Sequence, residues 1–181
     1  MNALEKPARP DPKIIMKDPV HLLAFGLGSG LSPVMPGTMG TLVAIPLFLA
    51  MHWLSWPVYV AMTVALFLLG VYLCGASANK LATHDHPGIV WDEIVGYLVT
   101  MLPLLPDLLG ERVTAPLWFW VVAGFLAFRL FDIIKPPPIK QLDEKVHGGL
   151  GIMIDDVLAG IFAAVVLALL TLPGLLFPAA S

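Results

Sequence analysis

The sequence predicts an all-α fold, a polytopic membrane helical bundle of about five membrane helices with a polar site on the cytoplasmic side. Three observations lead there. Of the 181 residues, 58% are hydrophobic and only 13% charged, and the mean hydropathy is +0.86, which lies outside the usage of ordinary soluble domains. Apolar runs recur at lengths near those needed to cross a bilayer, about 17–25 residues. Lysine and arginine are distributed unevenly over the segments between those runs.

In chain order, residues 1–20 read as a polar, proline-rich cytoplasmic segment. It lacks the apolar stretch of a signal peptide, so it is expected to stay uncleaved in the cytosol. Residues 21–181 read as a single membrane-embedded domain. A stretch crowded with glycine and proline, Gly26 to Gly40, opens it. Runs Thr41 to Trp56 and Val58 to Ala76 follow as the first two spans, then Ile94 to Leu105, Ala115 to Ile134 and Val157 to Phe177. The run from Ile94 is short and reads as a full crossing or as a re-entrant helix. Cys74, the only cysteine, lies in an apolar run and reads as a buried thiol.

Counting five crossings from a cytoplasmic N-terminus leaves Lys6, Arg9, Lys13, Lys17, Lys80, Arg129, Lys135, Lys140 and Lys145 inside and only Arg112 outside. That asymmetry follows the positive-inside rule and supports the short run as a crossing. The net charge of −3 provides no basic footprint for nucleic acid.

Every polar cluster falls on the inner side: the glycine-rich stretch, HDHPGIVWDE from His84, FRLFDIIKPPP from Phe128, and HGGLGIMIDD from His147. The first and last histidine clusters align without gaps. Gly88 falls on Gly151, Ile89 on Ile152, Asp92 on Asp155 and Glu93 on Asp156. The match predicts two parallel helix-loop-helix units, each ending its loop in a carboxylate pair at a helix N-terminus. Capping of free N–H groups explains one such pair. Two pairs with Asp132 nearby repel one another unless a cation neutralises them, and oxygen ligands point to Mg²⁺, Mn²⁺ or Ca²⁺.

The other polar residues carry paired readings. His84 and His86 have a spacing compatible with zinc, against which stands an ordinary solvated loop. His147 precedes two glycines, as in a tight turn that brings backbone close to a ligand. Arg129 and Asp132, three apart, share a helix face; the arginine's partner is Asp132 or an anionic ligand. The glycine-rich stretch either cradles phosphate with backbone N–H groups or lets helices pack closely. It is not a Walker loop, because GxxxxGK[ST] is absent.

GSGLSPVMPGTMGTL, HDHPGIVWDEIVG, FRLFDIIKPPPI and HGGLGIMIDDVLAG, in this order from about His21 to Gly160, resemble the phosphatidylglycerophosphatase A family. The resemblance implies a bacterial inner-membrane, Mg²⁺-dependent lipid phosphatase that converts phosphatidylglycerophosphate to phosphatidylglycerol and inorganic phosphate. Signatures of phosphocysteine, DxDx[TV] aspartyl-phosphate and histidine-based phosphatases are missing from the sequence, which leaves metal-assisted hydrolysis, with water attacking and a carboxylate or a histidine as base, or with a carboxylate attacking directly. Asp92, Glu93, Asp132, Asp155 and Asp156 are then the expected catalytic carboxylates and metal ligands, and Lys135 the expected catalytic cation. Gly28, Ser29, Gly30, Ser32, Thr38, His84, Arg129 and His147 are the expected substrate-binding residues. A carboxylate-lined cation transporter and a non-catalytic anionic-lipid-binding protein are the alternatives from other classes. The first predicts ionisable residues at mid-membrane; the second predicts lipid binding without phosphate release.

Overall fold

The computed structural model describes residues 10–83, 86–109, 115–143 and 145–172; residues 84, 85 and 173–181, where His84 and the expected end of the last span fall, lie outside them. The described residues form helices and turns with no strand. Two short helices come first, α1 (Pro12–Lys17) and α2 (Pro19–Ala24). Each starts at a proline, where a missing N–H costs nothing, behind an aspartate cap: Asp11 accepts from the Lys13 N–H at 2.8 Å and Asp18 from the Val20 N–H at 2.9 Å. Residue 20, where the polar segment was expected to end, lies inside α2. Ile15 of α1 is fully buried, so α1 already belongs to the packed unit.

A 3₁₀ segment, Gly26–Leu31, leads to α3 (Pro36–Met51). Next come α4 (Trp56–Lys80), α5 (Trp91–Met101), a 3₁₀ turn at Leu102–Leu104, α6 (Leu117–Ile134), α7 (Ile139–Asp143) and α8 (Gly148–Leu170). Three helices, α4, α6 and α8, are long and apolar enough to cross a membrane. At 16 residues α3 falls just short. With 11 residues α5 spans only about 17 Å at 1.5 Å per residue, roughly half a hydrocarbon core. The five apolar runs thus become five helices, of which three meet the length for a span.

The short helix sits at the centre. Eight of its 11 residues are buried and it packs against α3, α4, α6 and α8, so its ends meet protein and not lipid, as irregular backbone at membrane depth requires. Long-range hydrogen bonds tie it in place. Trp91 Nε1 donates to the Leu66 carbonyl at 3.0 Å, Tyr59 OH to the Leu98 carbonyl at 2.7 Å, and Tyr97 OH to the Val121 carbonyl at 3.1 Å. Its closest neighbour is α8, because both helices present glycine at the crossing. A Cβ on Gly160 would lie 2.4 Å from the Gly96 carbonyl oxygen, and one on Gly96 would lie 2.8 Å from the Asp156 carbonyl oxygen. Small residues of this kind let helix backbones touch. Here they bring Asp156 beside the first turn of α5.

At the same end, α2 is pinned to the last turns of α4. Lys80 pairs with Asp18 at 2.5 Å and the His21 ring bonds Ser77 Oγ at 2.8 Å; the lysine holds the Asp18 carboxyl below its usual range. At the opposite end Asp107 accepts from the Trp56 N–H at 3.3 Å.

Candidate active site

The starts of α3, α5 and α8 and the end of α6 meet around one cavity of about 410 Å³. Asp92, Glu93, Arg129, Asp132, Lys135, Asp155 and Asp156 all line it. Four separate stretches of sequence therefore supply one polar chamber.

Its carboxylates divide into two groups. Asp92, Glu93 and Asp156 each offer an oxygen within 4.8 Å of the others. Asp132 and Asp155 are engaged with cations: Arg129 Nη1 lies 2.5 Å from Asp132 Oδ2 and 3.8 Å from Glu93 Oε1, and Lys135 Nζ bonds Asp155 Oδ2. Of the five expected metal ligands, three are thus drawn together and two hold the basic residues in position.

Helix boundaries change the meaning of the second pair. Asp92 and Glu93 lie in the first turn of α5, as expected. Asp155 and Asp156 do not open a helix, because α8 begins at Gly148 and reaches them after about two turns. Both are buried, at 5% and 3% exposure. Capping accounts for neither, since their own N–H groups sit inside the helical ladder. The aligned HxxxG clusters consequently are not equivalent units: Gly88 lies in the loop before α5, whereas Gly151 lies inside α8.

The first half of the glycine-rich stretch does not turn its N–H groups to the chamber, which the stretch reaches only at Met35 to Gly37. The N–H groups of Gly28 and Gly30 both bond the Phe25 carbonyl at 3.0 Å, and that of Ser32 bonds the Ser29 carbonyl at 3.1 Å, so these donors are spent internally. Gly28 and Ser29 line no part of the chamber; Gly30 and Ser32 line a second cavity next to it. Thr38 sits in the first turn of α3, its Oγ1 buried and without a hydrogen-bond partner. His147 is exposed and does not line the chamber. Of the two glycines that follow it, Gly148 takes a positive φ of 73° at the start of α8, and Gly149 serves packing, since a Cβ there would fall 1.9 Å from the Val71 carbonyl oxygen of α4. His86 is not a solvated loop residue either, being 5% exposed.

Sequence reasoning passed over Gly37. A Cβ there would fall 2.1 Å from Glu93 Oε1 and 3.0 Å from Arg129 Nη1, so only glycine lets the start of α3 close that side of the chamber. The available signal was a glycine directly after the proline that opens an apolar run. Met35 and Ile133, also lining residues, are 57% and 64% exposed and form an apolar rim.

The donor set suits a hard divalent cation. Glu93 Oε2 and Asp156 Oδ2 are buried with no hydrogen-bond partner, a costly state for carboxylate oxygens. The cluster contains only oxygen donors, the preference of Mg²⁺, Mn²⁺ or Ca²⁺. Beside it stand two cations able to face an anion.

Comparison with known proteins accords with this chemistry. The family model described as Phosphatidylglycerophosphatase A matches residues 22–171. Phosphatidylglycerophosphatase A of Escherichia coli (strain K12) is 46% identical over 155 residues, covering 86% of this chain and 85% of its own. The protein of the same name from Haemophilus influenzae is 44% identical over 155 residues, covering 85% of this chain and 90% of its own. No solved structure matches. The chain belongs to the phosphatidylglycerophosphatase A family.

Proposed function

We propose that the protein is a membrane phosphatidylglycerophosphatase that hydrolyses the terminal phosphomonoester of phosphatidylglycerophosphate, with Mg²⁺ held by Asp92, Glu93 and Asp156. One observation carries the reading: a single chamber combines three clustered carboxylates with Arg129 and Lys135 under an apolar rim. That rim allows a headgroup to reach the carboxylates while its acyl chains stay in the bilayer. The names of the relatives supply the substrate.

When bound, the cation supplies Lewis-acid polarisation of the phosphoryl oxygens and a lowered pKa for an attacking water. The chain supplies the rest. Arg129 and Lys135 face the equatorial oxygens, where charge accumulates in the transition state. Asp132 and Asp155 fix those two cations by direct ion pairs. As the water oxygen bonds to phosphorus, its proton passes to a chamber carboxylate, the class of base that the described lining residues offer. The bond from phosphorus to the glycerol oxygen breaks, and that oxygen takes up a proton to become the hydroxyl of phosphatidylglycerol.

Purified protein in detergent with phosphatidylglycerophosphate is expected to release inorganic phosphate, to stop in excess chelator, and to resume with Mg²⁺ or Mn²⁺. Full activity in chelator with no residual metal overturns the metal assignment. Lipid binding without phosphate release under any condition overturns the phosphatase reading and favours a binding protein.

The reading places the chamber on the cytoplasmic side of a bacterial inner membrane, supported by the lysines and arginines of its bordering segments. Single cysteines replacing Lys140 and Trp53, both exposed, are expected to label from the cytoplasmic and outer faces respectively; native Cys74 is buried and stays silent. Labelling of both from one face removes this topology.

A further inference from the structure

A second cavity, of about 690 Å³, adjoins the chamber and shares Met35, Pro36 and Pro87 with it. Its wall comes from the glycine-rich stretch and from the loop ahead of α5, including Gly30, Ser32, His86 and Gly88. The two stretches touch backbone to backbone. A Cβ on Gly30 would lie 2.0 Å from the Gly88 carbonyl oxygen, so the crowding of glycine in this stretch serves to hold the His86 loop.

Hydrogen-bond geometry assigns the tautomer of His86. Its Nδ1 accepts the Gly88 N–H at 3.0 Å, which requires the unprotonated form of that nitrogen and places the ring proton on Nε2. Phe25 packs against the ring at 5.6 Å between centroids, and Phe25 is in turn fixed by the N–H groups of Gly28 and Gly30 on its carbonyl. Yet His86 Nε2 is buried and has no hydrogen-bond partner. A donor oriented by this much structure and left unmade is costly in the free protein, and a ligand acceptor removes the cost.

The lining also says what kind of acceptor fits. Among the described residues neither lysine nor arginine lines this cavity, while Asp11 does, which favours a neutral oxygen there over a second phosphate. Between the two phosphates of phosphatidylglycerophosphate lies a glycerol unit with one free hydroxyl. We infer that His86 is a specificity-determining residue that donates from Nε2 to this central hydroxyl, with the second cavity serving as a polyol subsite beside the phosphoryl chamber. This inference rests on the phosphatase reading above.

The test compares two lipids, phosphatidylglycerophosphate and its analogue with a propane-1,3-diol linker that lacks the central hydroxyl. For the parent protein, kcat/KM is expected to fall about tenfold on the analogue, the scale of one hydrogen bond to a buried donor left unpaired. His86→Phe, which has no donor, should hydrolyse both lipids at similar kcat/KM; His86→Gln, which keeps a donor, should recover part of the discrimination. Melting temperatures in detergent check that both variants fold. If the parent cleaves both lipids equally well, the subsite is overturned without recourse to a variant, and the phosphatase reading stands. Equal losses on the two lipids in His86→Phe also overturn it, by showing a purely structural histidine. A parent that releases no phosphate from either lipid refutes the phosphatase reading and the subsite with it.

Discussion

Asp156→Asn is expected to leave the protein inserted and folded while lowering phosphate release by about 10²–10³, equivalent to roughly 3–4 kcal/mol of transition-state stabilisation. The reasoning starts from the position of the residue in its helix. As the ninth residue of α8, 3% exposed, Asp156 has no free N–H group to cap, so asparagine forfeits no helix-end contribution. It faces Asp132, Asp92 and Asp155, and loss of its charge reduces repulsion among them in the absence of metal. Thermal stability without Mg²⁺ should therefore hold or rise. Added Mg²⁺ should raise the melting temperature of the parent and have much less effect on the variant, because ligand stabilisation scales with affinity for the folded state. Asp92→Asn is expected to behave alike, with Glu93→Gln, Asp132→Asn and Asp155→Asn also impaired. Asp107→Asn is the control: it lies at the other end of the bundle, and its amide oxygen can still accept from Trp56. Activity within about threefold of the parent for both Asp92→Asn and Asp156→Asn, well under one kcal/mol, would show that the cluster is not the metal site.

Particular residues show how far the sequence was readable. Hydropathy located all five apolar helices, because a helix that faces lipid, or that is buried at the centre of the bundle as α5 is, must be largely apolar. It placed the start of the last one at Val157, nine residues late, since Gly148 to Asp156 contains glycines and two carboxylates that no lipid-facing segment would carry. Their inward-facing members are packed on neighbouring helices, Gly149 on α4 and Asp156 beside Gly96 of α5. The tertiary environment, which hydropathy does not register, decided the boundary. The carboxylates were legible as a group because acidic residues are rare in so apolar a chain. Their division was not. Which of them bind Arg129 and Lys135, and which cluster, depends on the approach of α5 to α8 through Gly96 and Gly160. Composition left the glycine-rich stretch with two readings, phosphate cradle or close packing, and only the fold shows that the N–H groups of Gly28, Gly30 and Ser32 are taken by Phe25 and Ser29 while Gly30 packs on Gly88.

Lys135 combines a strained backbone with a charge proposed to face the phosphoryl group, and two substitutions separate them. It terminates α6 in the left-handed region, at φ 44° and ψ 62°, where glycine is the usual residue and a side chain costs about 1 kcal/mol. A lysine at such a position accords with the proposed role of its ammonium group. Lys135→Ala and Lys135→Gly both remove the ion pair with Asp155, so whatever that loss costs is common to the two proteins and cancels between them. The glycine variant should accordingly unfold at about 1 kcal/mol higher free energy than the alanine variant, since only glycine accepts the positive φ without strain. Their activities should nonetheless fall together, each by about 10²–10³, because both lack the charge that faces the phosphoryl oxygens. Stability and activity thus part ways between two variants at one position. If Lys135→Gly keeps activity within about threefold of the parent, less than one kcal/mol of barrier, the lysine is only a helix terminator and transition-state charge in the chamber is balanced without it.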